Sequence, residues 1–193
     1  MVELETRRLR LRPITIEAVP TLAQLWSDPE VMRYLPTGEP RPPAASQVEG
    51  TYMARHWEQH GFGVWTITLK GTEECIGYCG PQYLHPEPGG VAEENLLKST
   101  DVELVAGLSR AYWRQGFVTE ATEASLRYAF ETLQLPRIVA AIHPQNAIAH
   151  HILEKLGLRL SAGIRYYHPA CPHFVIWRAD FVPGHTFCLL HHT

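Results

Sequence analysis

Val102–Leu133, VELVAGLSRAYWRQGFVTEATEASLRYAFETL, reads as strand, glycine turn and helix, and the rest of the chain is organised around it. Val102, Leu104, Ala106 and Leu108 alternate with Glu103, Val105 and Gly107, the period-two pattern of a pleated strand with one face in a core. Ser109 to Gln115 is a polar turn. From Gly116 onward Val118, Thr122, Ser125, Ala129 and Leu133 fall on one side of a helix, small or apolar enough to lie close on a sheet. Glu120, Glu123, Arg127 and Glu131 fall on the other, a solvated stripe in which Glu123 and Arg127 have the acid-before-base spacing that supports a helix. A helix opening at a glycine just after a strand turns unpaired N–H groups and the positive end of its dipole toward whatever sits there, an anion site most naturally suited to phosphate. The lysine and hydroxyl of a P-loop are absent after Gly116 and no GxGxxG occurs here, so the familiar nucleotide loops fit poorly.

Upstream, Glu5 to Pro13 alternates Leu9 and Leu11 with Arg8, Arg10 and Arg12, which predicts one strand with a wet face near a sheet edge. Thr15 can cap a helix through Trp26, with Ile16, Val19, Leu22, Ala23 and Trp26 as its apolar stripe and Pro20 as a disturbance. Asp28 to Tyr34 predicts a short helix with Pro29 in its first turn. Leu35 to Ala45, rich in proline, is a loop, and Ser46 to His60 is helical with Met53, Ala54 and Trp57 on its more apolar face. Gly61 to Leu69 and Cys75 to Leu84 form an antiparallel hairpin in which Gly77 and Gly80 mark close backbone approach or a bulge. His85 to Thr100 is a long polar loop.

Downstream, Leu135 to His143 contains an unbroken apolar run and reads as a strand covered on both faces, so strand, helix and strand make a parallel crossover. Asn146 to Leu156 is a helix with Ile148, Ala149, Ile152 and Leu156 buried and Gly157 ending it. Leu158 to Tyr167 and His173 to Phe181 predict a last hairpin around Pro169 and Pro172. The segment from Gly184 onward is a tail, with mobile His191 and His192.

With 193 residues, the chain fits one compact domain, residues 1–183 followed by the tail 184–193, with no internal repeat. A net charge of −3 gives no global basic surface for nucleic acid, although 17 Lys and Arg are enough for a local patch around an anion. Cys75, Cys79, Cys171 and Cys188 show neither CxxC pairing nor finger spacing, and the first residues contain no apolar signal region, so a reducing, cytoplasmic setting is expected. No apolar run reaches the length of a membrane span. His143, His150 and His151 are close in sequence but lack HExxH or any carboxylate at ligand spacing, so no metal is expected.

The turn Trp113, Arg114, Gln115, Gly116, Phe117, Val118 resembles the acyl-CoA pyrophosphate loop of the GNAT superfamily of N-acetyltransferases, whose pattern is Gln/Arg-x-x-Gly-x-Gly/Ala. Val118 departs from it. The wording of Tyr112, Trp113, Gln115, Gly116, Thr119, Glu120 and Ala121 is similar to the branch containing the ribosomal-protein N-terminal acetyltransferases, as is the ET-x-RL-x-LRP opening. A second family motif stands at Asn146, Ala149, Glu154, Lys155, Gly157 and Leu158, one strand downstream. The resemblance runs from about Leu4 to about Phe181 and implies an α/β fold, a mostly antiparallel mixed sheet with a splayed central parallel pair and flanking helices.

It also implies acetyl-CoA as cosubstrate. Val105, Ala106, Gly107 and Leu108 would offer backbone groups to pantetheine, and one N–H near a bulge would polarise the thioester carbonyl. Arg114, Gln115, Gly116, Phe117, Val118 and Thr119 would hold the pyrophosphate; Asn146 would bond the pantetheine arm, cap its helix, or do both. Acetyl transfer in this family is by direct attack of an amine, which must arrive neutral. Glu103 is the candidate base, the alternative being a carboxylate paired with an arginine on a solvated strand face. The tyrosine that many members use as acid is Leu153 here, and the branch's serine is Ala149, leaving Tyr112, His150 or water for that role. The expected activity is N-acetylation of a primary amine, a peptide or protein N-terminus among the candidates. A silent acyl-CoA-binding module and a small-molecule, resistance-type acetyltransferase are the alternatives. A homodimer is expected, since this fold often pairs.

Overall fold

The computed structural model describes residues 1–35, 38–84, 100–161, 171–184, 186 and 188–192. Its frame is a single mixed sheet, nine-stranded among the described residues. The strands are β1 (Val2–Thr6), β2 (Leu9–Pro13), β3 (Trp65–Leu69), β4 (Glu74–Tyr83), β5 (Val102–Leu108), β6 (Arg137–Ala141), β7 (Arg159–Ser161), β8 (His173–Trp177) and β9 (Cys188–His192), in the spatial order β7-β8-β6-β5-β4-β3-β2-β1-β9. The helices are α1 (Val19–Trp26), α2 (Pro29–Met32), α3 (Pro43–His60), α4 (Phe117–Arg127, continued by a π turn over Tyr128–Thr132) and α5 (Ala147–Lys155). Every neighbouring pair of strands is antiparallel except β5 and β6. The mixed α/β GNAT-type architecture expected from the sequence is therefore the one observed.

Two cores cover the two faces. Leu4, Leu9, Leu11, Ile67, Leu104 and Leu108 pack against Ala121, Ala124 and Leu126 of α4. On the other face Tyr78 and partly buried Val105 pack with Trp26 of α1 and Met53 and Ala54 of α3. Strand β5 is thus covered on both sides along its first half. Glu103, placed by its alternation on what looked like a wet face, lies instead under α3 and is only 7% exposed. Gly77 and Gly80 behave as the hairpin pattern predicts, because an added Cβ would run into the Gly107 carbonyl at the first and into Gly63 and Val64 at the second. The register shift of the hairpin leaves Ile76 as the extra residue of β4.

Several local expectations are corrected. Residues 5–13 form two antiparallel strands in the sheet interior, because Arg8 does not continue the strand: its backbone N–H and its guanidinium both turn to Glu120 of α4. The segment after Thr15 begins as a 3-10 turn with no Thr15 side-chain cap, and Pro20 sits in the first turn of α1, where its missing N–H is harmless. Ile16 is exposed. The outer stripe of α4 is not simply solvated: Glu123 is buried, accepting from the Thr186 N–H and hydroxyl, while Arg127 donates to the Thr186 carbonyl and reaches Glu131 rather than Glu123. That segment leads into β9, which pairs with β1 from Val2 opposite His192 to Thr6 opposite Cys188. Residues 188–192 are accordingly a strand of the sheet and not a mobile tail. In α5 the buried residue is Leu153, whereas Ile148 is 58% exposed. The loop expected at His85 to Thr100 falls, except for Thr100, outside the described residues, as do Pro36, Thr37 and residues 162–170 of the last hairpin.

Candidate active site

Strand β5 pairs with β4 along its whole length, from Val102 opposite Tyr83 to Leu108 opposite Gly77. Its parallel pairing with β6 is recorded, among the described residues, only where Glu103 faces Val139. Just below that point Asp101 takes a two-pronged bond from Arg137, Nε and Nη2 each at 2.7 Å, which pins the strands together at one end. Beyond it they diverge. The register shift expected in β5 lies in the β3–β4 pair instead, so the divergence belongs to β6, which is carried away by its five-position ladder with β8.

The direction of the free backbone groups follows from the ladder. The Ser109 N–H donates to the Ile76 carbonyl, and antiparallel pairing alternates, so Gly107 and Val105 turn their backbone groups to β4 while Ala106 and Leu108 turn theirs to the gap. The Leu108 carbonyl is taken by the Trp113 indole at 2.7 Å. Among the described residues nothing pairs with the Ala106 N–H and C=O or the Leu108 N–H, the groups an extended amide-bearing arm could meet.

At the end of β5 the chain turns through Arg114 (φ 60°) and Gly116 (φ 79°) into α4. The left-handed conformation at Gly116 is one that side-chain-bearing residues rarely adopt, and it brings the first N–H groups of α4 to the mouth of the gap. The turn is tied from outside. Arg8 donates through Nη1 to the Gln115 carbonyl at 2.8 Å, pairs through Nε with Glu120 at 2.7 Å and lies over the Phe117 ring. The Gln115 side chain donates back to the Ala111 carbonyl. Val118, which replaces the small residue of the motif, packs partly on the main core while reaching the cavity wall.

A cavity of about 800 Å³ runs from this turn along the gap to the face covered by α3. Val105, Ala106, Gly107, Leu108, Arg114, Gly116, Phe117, Val118, Thr119 and Asn146 all line it, and Gln115 does not. Asn146 caps α5, accepting from the Ala149 N–H at 3.1 Å. Ala149, Ile148 and Ile152 add an apolar wall, which is why Ile148 of α5 is exposed.

The opposite end is built from side chains. Glu103 lines the cavity as predicted, and the sequence reading missed its neighbours there: Glu30, Arg41, Glu49, Met53, Tyr78 and Gln82. Glu49 is 3% exposed and shares an α3 face with Met53 and Trp57 at i+4 and i+8, so an acid inside an apolar stripe was the available signal. Burial chiefly, then the nearby carboxyl groups of Glu49 and Glu103, push the Tyr52 phenol above the usual range. Its hydroxyl donates to the Tyr83 carbonyl. The two candidate acids are placed differently. Tyr112 lines the cavity, and its hydroxyl donates a hydrogen bond to Glu74 at 2.6 Å that raises its pKa. His150 stacks edge-on against Phe174 and does not line the cavity. Among the described residues no cluster of three His, Cys, Asp or Glu could hold a metal ion, and no helix is long and apolar enough to cross a membrane.

Residues 8–159 match the model of the acetyltransferase (GNAT) domain. The chain belongs to that family. It is thereby an enzyme of the N-acetyltransferase type. An uncharacterized N-acetyltransferase, p20, from Bacillus licheniformis is 30% identical over 171 residues, which cover 88% of this chain and 89% of the relative. Among solved structures, an acetyltransferase from Agrobacterium tumefaciens superposes with a TM-score of 0.75 at 26% identity, covering 90% and 93% of the two chains. A spermidine N-acetyltransferase from Vibrio cholerae, solved with CoA and spermine, has the same fold at 16% identity, with a TM-score of 0.67 and coverage of 89% and 96%. The family uses acetyl-CoA, and the residues here fit it: a glycine-opened helix start for the pyrophosphate and an unpaired β5 edge for the pantetheine amides.

Proposed function

We propose that this GNAT enzyme transfers acetyl from acetyl-CoA to a primary amine by direct attack, without a covalent enzyme intermediate. The observation that carries the reading is the unpaired β5 edge at Ala106 and Leu108, continuous through one cavity with the Gly116 helix start and with the carboxylate of Glu103. Acetyl-CoA supplies the acyl group already activated as a thioester. The N–H groups from Gly116 to Thr119 hold its pyrophosphate, with Arg114 as the neighbouring cation. Ala106 pairs with the pantetheine amides, and an N–H on the gap side, from Leu108 or Ala106, polarises the thioester carbonyl as a single donor. Glu103 takes the proton of the incoming ammonium. The N–C bond then forms, the C–S bond breaks, and the second proton of the acylated nitrogen passes through water to the departing CoA thiolate, leaving the amide and the thiol, so the loss of a dedicated acid at Leu153 and Ala149 is tolerated.

Holding the amine beside the thioester supplies much of the rate gain, since well-aligned pairs reach effective molarities on the order of 10⁵ M or more. The turn residues from Tyr112 to Ala121 favour a peptide or protein N-terminus as one acceptor; the spermine-bound neighbour shows that a fold of this shape also accommodates a polyamine. The test is calorimetry with acetyl-CoA followed by thiol release in the presence of a panel of primary amines and short peptides. Binding with amine-dependent thiol release is the expected result. Failure to bind acetyl-CoA or CoA refutes the reading.

A further inference from the structure

We propose that Glu120 is a positioning residue for the acyl donor: through Arg8 it fixes the peptide between Gln115 and Gly116, so that the Gly116 N–H faces the CoA diphosphate. This deepens, and rests on, the acetyl-transfer reading of the same cavity. Glu120 stands in the first turn of α4, where a negative charge works against an incoming diphosphate. Its side chain is only 11% exposed and is turned to the corner between β1 and β2. There it takes three bonds. The Thr6 hydroxyl at 2.6 Å and the Arg8 N–H at 2.9 Å both donate to Oε1, and Arg8 Nε donates to Oε2 at 2.7 Å. Burial works to raise the Glu120 pKa, but the bonds from Thr6 and Arg8 outweigh it and hold the carboxyl below its usual range. The corner that carries these donors is itself braced. The Thr6 hydroxyl accepts from the Leu9 N–H at 3.0 Å, and Lys70 donates to the Arg8 carbonyl from its backbone at 3.0 Å and to the Thr6 carbonyl from Nζ at 2.6 Å.

The guanidinium is a planar fork, so fixing Nε on Glu120 fixes the direction of its other arms. Nη1 meets the Gln115 carbonyl at 2.8 Å, and Nη2 lies 3.4 Å from the place a Cβ on Gly116 would take. The carbonyl of Gln115 and the N–H of Gly116 belong to one planar trans peptide and point in opposite directions. Holding the carbonyl back on Arg8 therefore turns the Gly116 N–H forward. Gly116 lines the cavity and Gln115 does not, so forward is the mouth of the gap. The turn has no means of its own to keep this plane, because Gly116 is conformationally permissive and Arg114 beside it is already at positive φ. Were the plane to rotate over, a carbonyl oxygen would meet the diphosphate in place of a donor. Glu120 thus serves the donor from behind: it never faces the ligand, and it aims the group that does.

The experiment joins calorimetric titration with CoA to ¹H–¹⁵N spectra of the CoA-saturated protein, for the wild type, Glu120→Gln, Arg8→Met and the double variant. Glu120→Gln keeps an oxygen for Thr6 and the Arg8 N–H but sets an NH₂ against Arg8 Nε, so the corner stays tied while the fork is released. Charge and position predict opposite signs for it. Removing a carboxylate near the diphosphate would by charge alone tighten CoA, whereas loss of positioning loosens it, by about threefold. Because the two residues act through one chain of bonds, the double variant should be no weaker than Arg8→Met alone. In the wild type the Gly116 amide proton should move downfield on saturation with CoA, as an N–H donating to a phosphate oxygen; both single variants should lose that movement while the Ala106 amide keeps its own. CoA affinity in Glu120→Gln equal to or tighter than the wild type, a Gly116 amide that CoA leaves unmoved, equal movement in the variants, or losses that multiply in the double variant each overturn the proposal. Should Glu120→Gln fail to fold, the Gly116 and Ala106 amides of Arg8→Met decide by the same comparison. A wild type that does not bind CoA refutes the acetyl-transfer reading and this proposal together; where CoA binds, only the role of Glu120 is at stake.

Discussion

The two ends of the cavity are made of different material. The end proposed for the donor is backbone: a glycine turn, the first N–H groups of α4 and the edge of β5 that no described residue pairs, with side chains that matter mainly by being small or by tying the turn from behind. The end proposed for the acceptor is side chain: Glu103 and Gln82 from neighbouring strands and Glu49 from α3, buried polar groups that no local segment could place together. A backbone site recognises any ligand with the right repeating groups, which suits a cosubstrate common to a family. A site of converging side chains can be rewritten one residue at a time, which suits an acceptor that differs between members.

If this division is right, damage at one end should leave the other end's binding intact. The largest effect is expected from Glu103→Gln, which should lower kcat by roughly 10²- to 10⁴-fold, the usual worth of a positioned base, with the CoA dissociation constant unchanged. Stopped-flow thiol release and calorimetry on the same preparation check both halves; a fall in CoA affinity would erase the distinction.

Next comes pH. His56 is buried in α3, with Nδ1 donating to the Phe62 carbonyl at 2.8 Å and Nε2 accepting from the Tyr83 N–H at 2.9 Å, so its neutral form braces the wall beside Gln82. Burial pushes its pKa down to about 4, with a smaller push from His60. The folded state therefore holds fewer protons than the unfolded state between about pH 6.5 and 4. The stabilisation is fully present above about 6.5 and is lost as the pH falls through that window, on the order of 3 kcal/mol in all. Urea melts at pH 7.5 and 5 should show it, and His56→Gln should reduce the dependence.

A smaller effect belongs to the donor end. Gly116→Val asks a β-branched residue to adopt φ 79° and should weaken CoA by about tenfold while the amine dissociation constant stays put. The smallest is Arg8→Met, which removes the ties to Gln115 and Glu120 but leaves the turn's own backbone; about a threefold loss of CoA affinity is expected, read by calorimetry, since the Arg8 side chain is partly exposed and water screens its ion pair.

The same division explains what could be read from the sequence. The strand–turn–helix at Val102 to Leu133 and the cap at Asn146 are local, carried by period, glycine and capping chemistry, and the structure puts them where that chemistry says. Glu103 was legible as a candidate because its strand leads into the gap. Its burial was not, because the cover comes from α3, more than forty residues upstream. Gln82 and Glu49 become neighbours only through the β4–β5 register and the packing of α3, and a strand glutamine carries no local mark of a place on a cavity wall. Nearness in sequence to the motif did not disclose the partners of the two candidate acids: Tyr112 reaches the cavity wall with its hydroxyl on Glu74, and His150 packs against Phe174. The tail was misread because β9 owes its order to β1, at the other end of the chain.

The single β5–β6 register position has a mechanical consequence. Among the described residues β6 meets β5 at one register position, beside the Asp101–Arg137 clamp, so the backbone ladder of the sheet is cracked along its middle while the core beneath it stays continuous. A pantetheine arm bonded to Ala106 would lie in that crack as a borrowed strand, and CoA would stiffen the protein as well as load it. Amide exchange in β6 and β8 should then slow on saturation with CoA, while β1, β2 and β3, on the far side of the crack, keep the rates they had before.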